Sequence, residues 1–355
     1  PPPPPPPPPP FFFQADAGIR APLWSRGLGD VYKRQILNMS KLYLSHITSF
    51  SYSNFVVESS NQIILYPYND TNQQVISHSL KITGNPNIYT NFDWYGNKVG
   101  FFNYLLPHKN LSIESEAEIL VKKVELPKNE LNIKESWNQI NKLKSENIDF
   151  FEFTHCADNA NKKAKKALKK MDLKNLSPFE LVLKLNKYVY ENFKYKKGIT
   201  KVDTSVDKVW ELGLGVCQDF TNVMLQLCRL SNIPSRYVSG YVCSSERIRG
   251  DGATHSWVEV FIPNHGWLGI DPTNNCICQD LHVKIGIGRN YNDCAPVKGV
   301  YKGNEEQKMD VKVNLSTKKL IVKQTKSVWD EKTIENEDVN SYQKNLEMIQ
   351  QQQQQ

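Results

Sequence analysis

No stretch of this 355-residue chain approaches the roughly 20 consecutive apolar residues that a membrane-spanning helix needs, and no segment repeats another. From Met39 the sequence runs Met39-Ser40-Lys41-Leu42-Tyr43, with neither the apolar core nor the cleavage site of a secretory leader. The cysteines number seven, an odd count that does not suggest a framework of paired disulfides. These absences lead to the expectation of a reduced, cytoplasmic protein with no membrane partner. The net charge of +7 comes largely from lysine runs such as Lys162, Lys163, Lys165, Lys166, Lys169 and Lys170. The run has no interleaved aromatics and no docking motif, so it reads as the solvated face of a helix, and no nucleic-acid partner is expected.

Both ends stand apart in composition. Pro1 to Pro10 is a proline run, which favours an extended polyproline conformation and cannot pack as a helix or inner strand. Residues 1–38 are expected to be a non-native or disordered leader, a cloning or sequence-assembly artefact, with Met39 the native start. Residues 321–355, ending in a glutamine tract, read as a disordered tail.

Between these ends the chain divides in three. Residues 39–127 carry strand signals: Ile47 to Tyr52 alternates with polar residues, Gln62 to Leu65 is a short apolar run, and Ile113 to Val124 alternates again. Short strands with turns such as Asp93-Trp94-Tyr95-Gly96-Asn97 between them predict an N-terminal β-sandwich-like domain. Residues 128–175 are charged and helix-prone and read as a helical connector. Residues 176–320 predict a second domain, so the fold class is α+β. There Ser177 caps a helix, Pro178 suits its first position and Glu180 completes a capping box. Cys217 opens a later helix whose apolar residues Phe220, Val223, Met224, Leu227 and Leu230 fit one buried face. Arg236 to Val242 reads as a strand. His255 to Ile262 and Trp267 to Ile270 flank the turn Asn264-His265-Gly266. Met309 to Leu315 offers a last strand.

The chemistry concentrates in three residues. A thiol reacts as thiolate, and the exposed N–H groups at a helix N-terminus favour that anion. Cys217 stands there, after Gly213 and Gly215, which let a substrate approach the backbone. Its own N–H could supply one arm of an oxyanion hole. An imidazole must take the thiol proton and later protonate the leaving amine, and His255 begins a strand that could project over Cys217. A carboxylate must orient that imidazole. Asp271 ends the partner strand of a hairpin, where residues 16 positions apart can be spatial neighbours. Taken singly, each has a plainer reading. Cys217 would be a buried structural thiol, His255 a satisfied polar residue and Asp271 a turn former.

Together the motifs resemble the transglutaminase-like superfamily. The matching segments are GVCQDF at 215–220, RYVSGYV at 236–242, THSWVEVF at 254–261 and GWLGIDPTNN at 266–275. The segments DLHVKIGIGRNY at 280–291 and PVKGVYKG at 296–303 are similar to its bacterial-type branch. So are His46-Ile47-Thr48, Tyr66-Pro67, Asp93 to Asn97 and Pro107-His108 in the first domain. The resemblance implies a papain-like catalytic core with Cys217, His255 and Asp271 as its triad. It also implies chemistry at amide bonds through a cysteine thioester, with no metal or organic cofactor. Such proteins hydrolyse peptide amides or join a glutamine side chain to a primary amine, and the bacterial-type branch favours hydrolysis. A non-catalytic binding or scaffold module with a vestigial site is the alternative class. Tyr195 matches an aromatic position upstream of the cysteine and is a candidate oxyanion donor. Gln218 and Asp219 are candidates for capping or support at the site. Two departures stand out: Asn290 replaces the usual aspartate, and Asn275-Cys276-Ile277-Cys278 replaces the usual glycine after the aspartate motif. Cys276 and Cys278 with Cys294, Cys243 or His282 could hold zinc, although the spacing follows no recognised pattern.

Overall fold

A computed structural model describes residues 39–128, 131–156, 162–243 and 252–319. The expected leader and the expected tail lie outside the described residues.

The chain opens with five strands, β1 (Met39–Ile63), β2 (Gln73–Ile82), β3 (Tyr89–Phe92), β4 (Lys98–Tyr104) and β5 (His108–Lys122). Helices α1 (Ile133–Glu146), α2 (Ile148–Thr154), α3 (Lys162–Lys170) and α4 (Pro178–Asn192) follow. Next come β6 (Lys194–Tyr195), α5 (Val206–Leu212), β7 (Leu214–Gly215) and α6 (Cys217–Leu230). The rest is β8 (Ser235–Val242), β9 (His255–Ile262), β10 (Gly266–Asp271), β11 (Cys276–Ile277), β12 (His282–Gly288), β13 (Val297–Lys302) and β14 (Gln307–Ser316).

The first sheet runs β2-β5-β1-β4-β3, and β13 and β14 also pair with β1. The two segments read separately from sequence, Ile47–Tyr52 and Gln62–Leu65, share one 25-residue strand as far as Ile63. No glycine or proline interrupts the stretch between them. The chain instead bends at a bulge, where Glu58 takes a φ of 54° and the register against β13 shifts between Val57 and Ser60. β14 runs antiparallel to β1 from Tyr43↔Ser316 to Tyr52↔Gln307. The last described strands therefore complete the sheet that the first described strand begins.

The second sheet has the order β11-β10-β9-β8-β12, all antiparallel. Val258, Val260, Leu268 and Ile270 pack with Phe220, Val223, Met224 and Leu227 of α6 in one core. The helical spacing of those α6 residues is what places them on one buried face. The capping box at the start of α4 forms as its sequence predicts, with Ser177 accepting from the Glu180 N–H and Pro178 in the first turn. In α3, Ala164 and Ala167 are buried while the lysines face out.

Two devices join the sheets. One is apolar: Leu42, Leu44, Ile119, Val121 and Leu315 pack against Tyr241, Val283 and Ile285. The other covers the free edge of β12. The Gln73 amide donates to the Lys284 carbonyl at 2.8 Å and accepts from the Lys284 N–H at 2.8 Å. The Asn97 amide does the same at Ile287, at 2.7 Å in each direction. Two side-chain amides thus stand in for the backbone of a neighbouring strand, which an edge otherwise lacks. Asn97 is held for this by Asp93, which accepts from the Tyr95 and Asn97 N–H groups and from the Asn97 amide. Gly96, at φ +79°, closes that turn. Among the described residues no helix is long and apolar enough to cross a membrane.

Replacing Asn97 by alanine leaves the Ile287 N–H and carbonyl of β12 without partners and removes one of the donors to the Asp93 carboxylate. The expected cost is about 2–4 kcal/mol, read as a thermal midpoint several degrees below wild type. An unchanged midpoint would remove the edge-covering role.

Candidate active site

The site is assembled where α6 starts against the second sheet. Val216 precedes the helix in an extended conformation and Cys217 is its first residue. Asp219 secures this start: its Oδ2 accepts the Val216 N–H at 2.7 Å and the Thr200 hydroxyl at 2.6 Å. Gly215 is required by the close approach of that carboxylate. A Cβ there would lie 2.5 Å from Asp219 Oδ2. Gln218 donates from its amide to the Val202 carbonyl at 3.0 Å, tying the preceding loop to the helix start. Both side chains therefore hold the frame around Cys217. Asp219, a buried carboxylate pushed up by desolvation and partly restrained by its two donors, serves as a cap.

Tyr195 pairs in parallel register with Gly215 and sets its ring edge-on to Phe220, with centroids 6.3 Å apart. That register carries it to the strand beside the segment delivering Cys217.

His255 is the first residue of β9 and is buried. Its Nε2 lies 2.8 Å from Asp271 Oδ2, at the end of β10. The hairpin register, Gly266↔Ile262 through Ile270↔Val258, brings these two residues together. Nδ1 of His255 is buried and has no hydrogen-bond partner. With Nε2 taken by Asp271, Nδ1 is the nitrogen left for the thiol, and the imidazole interacts with the Cys217 side chain. The fold thus pairs His255 with Asp271 directly and brings Cys217 near enough to influence the charge of the imidazole.

The electrostatics follow from burial opposed by pairing. Desolvation alone would push the imidazole of His255 down, but Asp271 and Cys217 override it and raise its pKa to about 10. Desolvation likewise favours a neutral Asp271, yet His255 and His282 hold that carboxylate well below its usual range. Five donor contacts serve it. Oδ1 accepts the N–H groups of Thr273 at 2.9 Å and Asn274 at 3.3 Å. Oδ2 accepts from His255, from the Asn274 amide at 2.7 Å and from His282 Nε2 at 3.4 Å. The result is a charged carboxylate holding a protonated imidazole near the sulfur of Cys217 at a helix N-terminus. Such an arrangement can generate a nucleophile and deliver a proton to a leaving group.

His282 was nominated from sequence only as a zinc ligand. Its contact with Asp271 depends on β12 folding back beside β8, which local patterning does not disclose. The zinc reading meets two obstacles. Asp271, Cys276 and His282 do bring one ligand atom each within 4.8 Å of one another. However, His282 Nδ1 accepts the Gln279 N–H at 3.4 Å, so Nε2 carries the proton that points at Asp271. A protonated nitrogen has no lone pair for a metal. In addition, Cys243, Cys278 and Cys294 join no such cluster among the described residues.

Comparison with known proteins agrees with this architecture. Residues 165–272, which span Cys217, His255 and Asp271, match the model of the transglutaminase-like superfamily. Residues 42–120 match that of the bacterial transglutaminase-like N-terminal region. An uncharacterized protein of Mycobacterium tuberculosis is 29% identical over 291 residues, covering 77% of this chain and 91% of the relative. A crystal structure from Cytophaga hutchinsonii, described as a candidate cysteine protease, superposes with a TM-score of 0.62 at 20% identity. It covers 83% of this chain and 95% of that one, and shows the same fold. A protein-glutamine gamma-glutamyltransferase of Pseudomonas aeruginosa is 31% identical over 97 residues, 25% of this chain and 14% of that protein. With a matching core, a matching N-terminal region and a shared fold, the chain belongs to the transglutaminase-like superfamily.

Proposed function

We propose that this protein is a thiol enzyme that opens amide bonds of peptides or proteins through an acyl-cysteine intermediate. The observation that carries the reading is the imidazole of His255, held at 2.8 Å by the Asp271 carboxylate and coupled electrostatically to Cys217 at the start of α6. In the first step the Cys217 sulfur, its proton held on Nδ1 of His255, attacks the carbonyl carbon. Backbone N–H groups at the start of α6 face the developing oxyanion. The C–N bond then breaks as His255 gives its Nδ1 proton to the departing amine, leaving a thioester. Asp271 keeps the imidazole in one orientation throughout. In the second step His255 takes a proton from the acceptor, which attacks the thioester and releases the sulfur.

Water is the default acceptor, so hydrolysis is the leading form of the reaction. Transfer to a primary amine needs a place that binds the amine ahead of water. The Pseudomonas relative, a protein-glutamine gamma-glutamyltransferase, favours that second form. The two are separated by supplying a glutamine-containing peptide with and without a fluorescent amine. Incorporation of the amine selects transfer, whereas release of ammonia or peptide alone selects hydrolysis.

The thiol reading is tested by alkylation. Burial pushes up the pKa of Cys156, Cys228, Cys243, Cys276, Cys278 and Cys294. Iodoacetamide at neutral pH should therefore label Cys217 at least about tenfold faster than any of these. Uniform labelling would favour a scaffold with a vestigial site. Replacing Asp271 by asparagine should cut turnover by roughly 10⁴-fold, as expected when the base loses its orienting carboxylate.

The same pair makes stability depend on pH. His255 sits at about 10 when folded, against about 6.5 when unfolded. Its pairing energy is fully present below the unfolded value and is lost as pH rises through the folded one. The stability difference between wild type and Asp271→Asn should thus be largest near pH 6 and narrow steadily towards pH 10. Denaturant titrations across that window give the check, and a difference that widens with pH would contradict the charge assignment.

A further inference from the structure

We propose that His282 is a positioning residue of this site: a second imidazole that donates to Asp271 and fixes the carboxylate on which His255 is held. The inference rests on the triad reading above. It adds a residue that does not touch Cys217 or the reacting carbonyl.

The geometry supplies three supports. First, the tautomer of His282 is set by a tight turn. Its backbone N–H donates to the Gln279 carbonyl at 3.0 Å, and the Gln279 N–H donates back to His282 Nδ1 at 3.4 Å. Nε2 must then carry the hydrogen. That hydrogen is aimed at Asp271 Oδ2, 3.4 Å from Nε2. Second, the ring is clamped. Trp257 stands edge-on to it with centroids 5.4 Å apart and planes at 81°. The same indole lies beside His255, at 6.3 Å. Trp257 has room because residue 240 is glycine: a Cβ there would come within 2.5 Å of the indole. Third, His282 is itself buried, so water does not readily replace its donor.

The oxygen concerned is the one that binds His255. The two oxygens of an ionised carboxylate are equivalent, but a carboxylate with one strong partner can still swing on its Cβ out of the plane that meets His255. With His282 and the Asn274 amide both on Oδ2, and backbone N–H groups on Oδ1, only one orientation satisfies every donor. At 3.4 Å the His282 contact is long, so it directs the carboxylate more than it strengthens the grip on His255.

The test compares His282→Met, which keeps bulk without a donor, with His282→Gln, whose amide can place an N–H near the Nε2 position. His282→Phe serves as the donor-free variant should the methionine protein not fold. In steady-state assays the donor-free variant should lose roughly 10–100-fold in kcat, the rate equivalent of one hydrogen bond to a charged group. KM should not change, and the glutamine variant should recover most of the loss. Proton NMR supplies a readout that needs no substrate. The far-downfield resonance of the His255–Asp271 hydrogen bond should broaden or shift in the donor-free variant and persist in the glutamine variant. Equal kcat values in the two variants, or a resonance unmoved by loss of the donor, would overturn the role of His282. Failure of the triad reading would look different: wild type itself would turn over no amide while the resonance still responded to His282.

Discussion

A buried carboxylate that stays charged is the constraint on which this structure turns. Isolated in an apolar interior, Asp271 would take up a proton and lose its purpose. It remains an anion because its two oxygens collect donors from the turn after β10, from β9 and from β12. These donors come from three separate parts of the second sheet and its connections. The sheet therefore has to form for the charge to exist, and the charge in turn keeps His255 protonated beside Cys217. Stability and chemistry draw on the same hydrogen bonds.

That dependence explains why the N-terminal sheet matters to a site it does not enter. His282 lies on β12, the edge of the second sheet. Unpaired, such an edge would fray or recruit another chain. Gln73 and Asn97 close it with amide side chains, and β13 and β14 return from beyond the site to pair with β1. Lys284, next but one to His282, adds a buried charge network, pairing with Asp70 at 2.7 Å and Glu259 at 2.8 Å. Asp70 comes from the first sheet's connections and Glu259 from β9. An ion pair of this kind is costly to break from one side, which keeps β12 in place.

Much of the site was legible along the chain, for definite reasons. The apolar spacing from Phe220 to Leu230 announces a helix beginning near Cys217. Alternation from His255 to Ile262, a turn at Asn264 and a second short strand announce the hairpin that joins His255 to Asp271. Those are local periodicities, and local periodicity survives folding. His282 was harder to see, because its value comes from Gln279 and Asp271, whose contacts with it depend on tertiary placement. The 25-residue β1 was hidden by its polar inward face: His46 and Thr48 are buried there and bonded to each other at 2.8 Å, and His46 is also bonded to the Tyr241 hydroxyl at 2.7 Å. Alternation that places polar groups inside looks like a shorter strand. The amides of Gln73 and Asn97 carry no periodic signal at all, since each acts once, across more than 180 positions of sequence.

The central claim is that His255 is an imidazolium at neutral pH because Asp271 is an anion. Nitrogen-15 NMR of histidine-labelled protein addresses it directly, since the two ring nitrogens report their protons separately. The account predicts that both nitrogens of His255 carry a proton at pH 7.5, and that one is lost when Asp271 is replaced by asparagine. A neutral His255 with a single proton in the wild-type protein at that pH would contradict it.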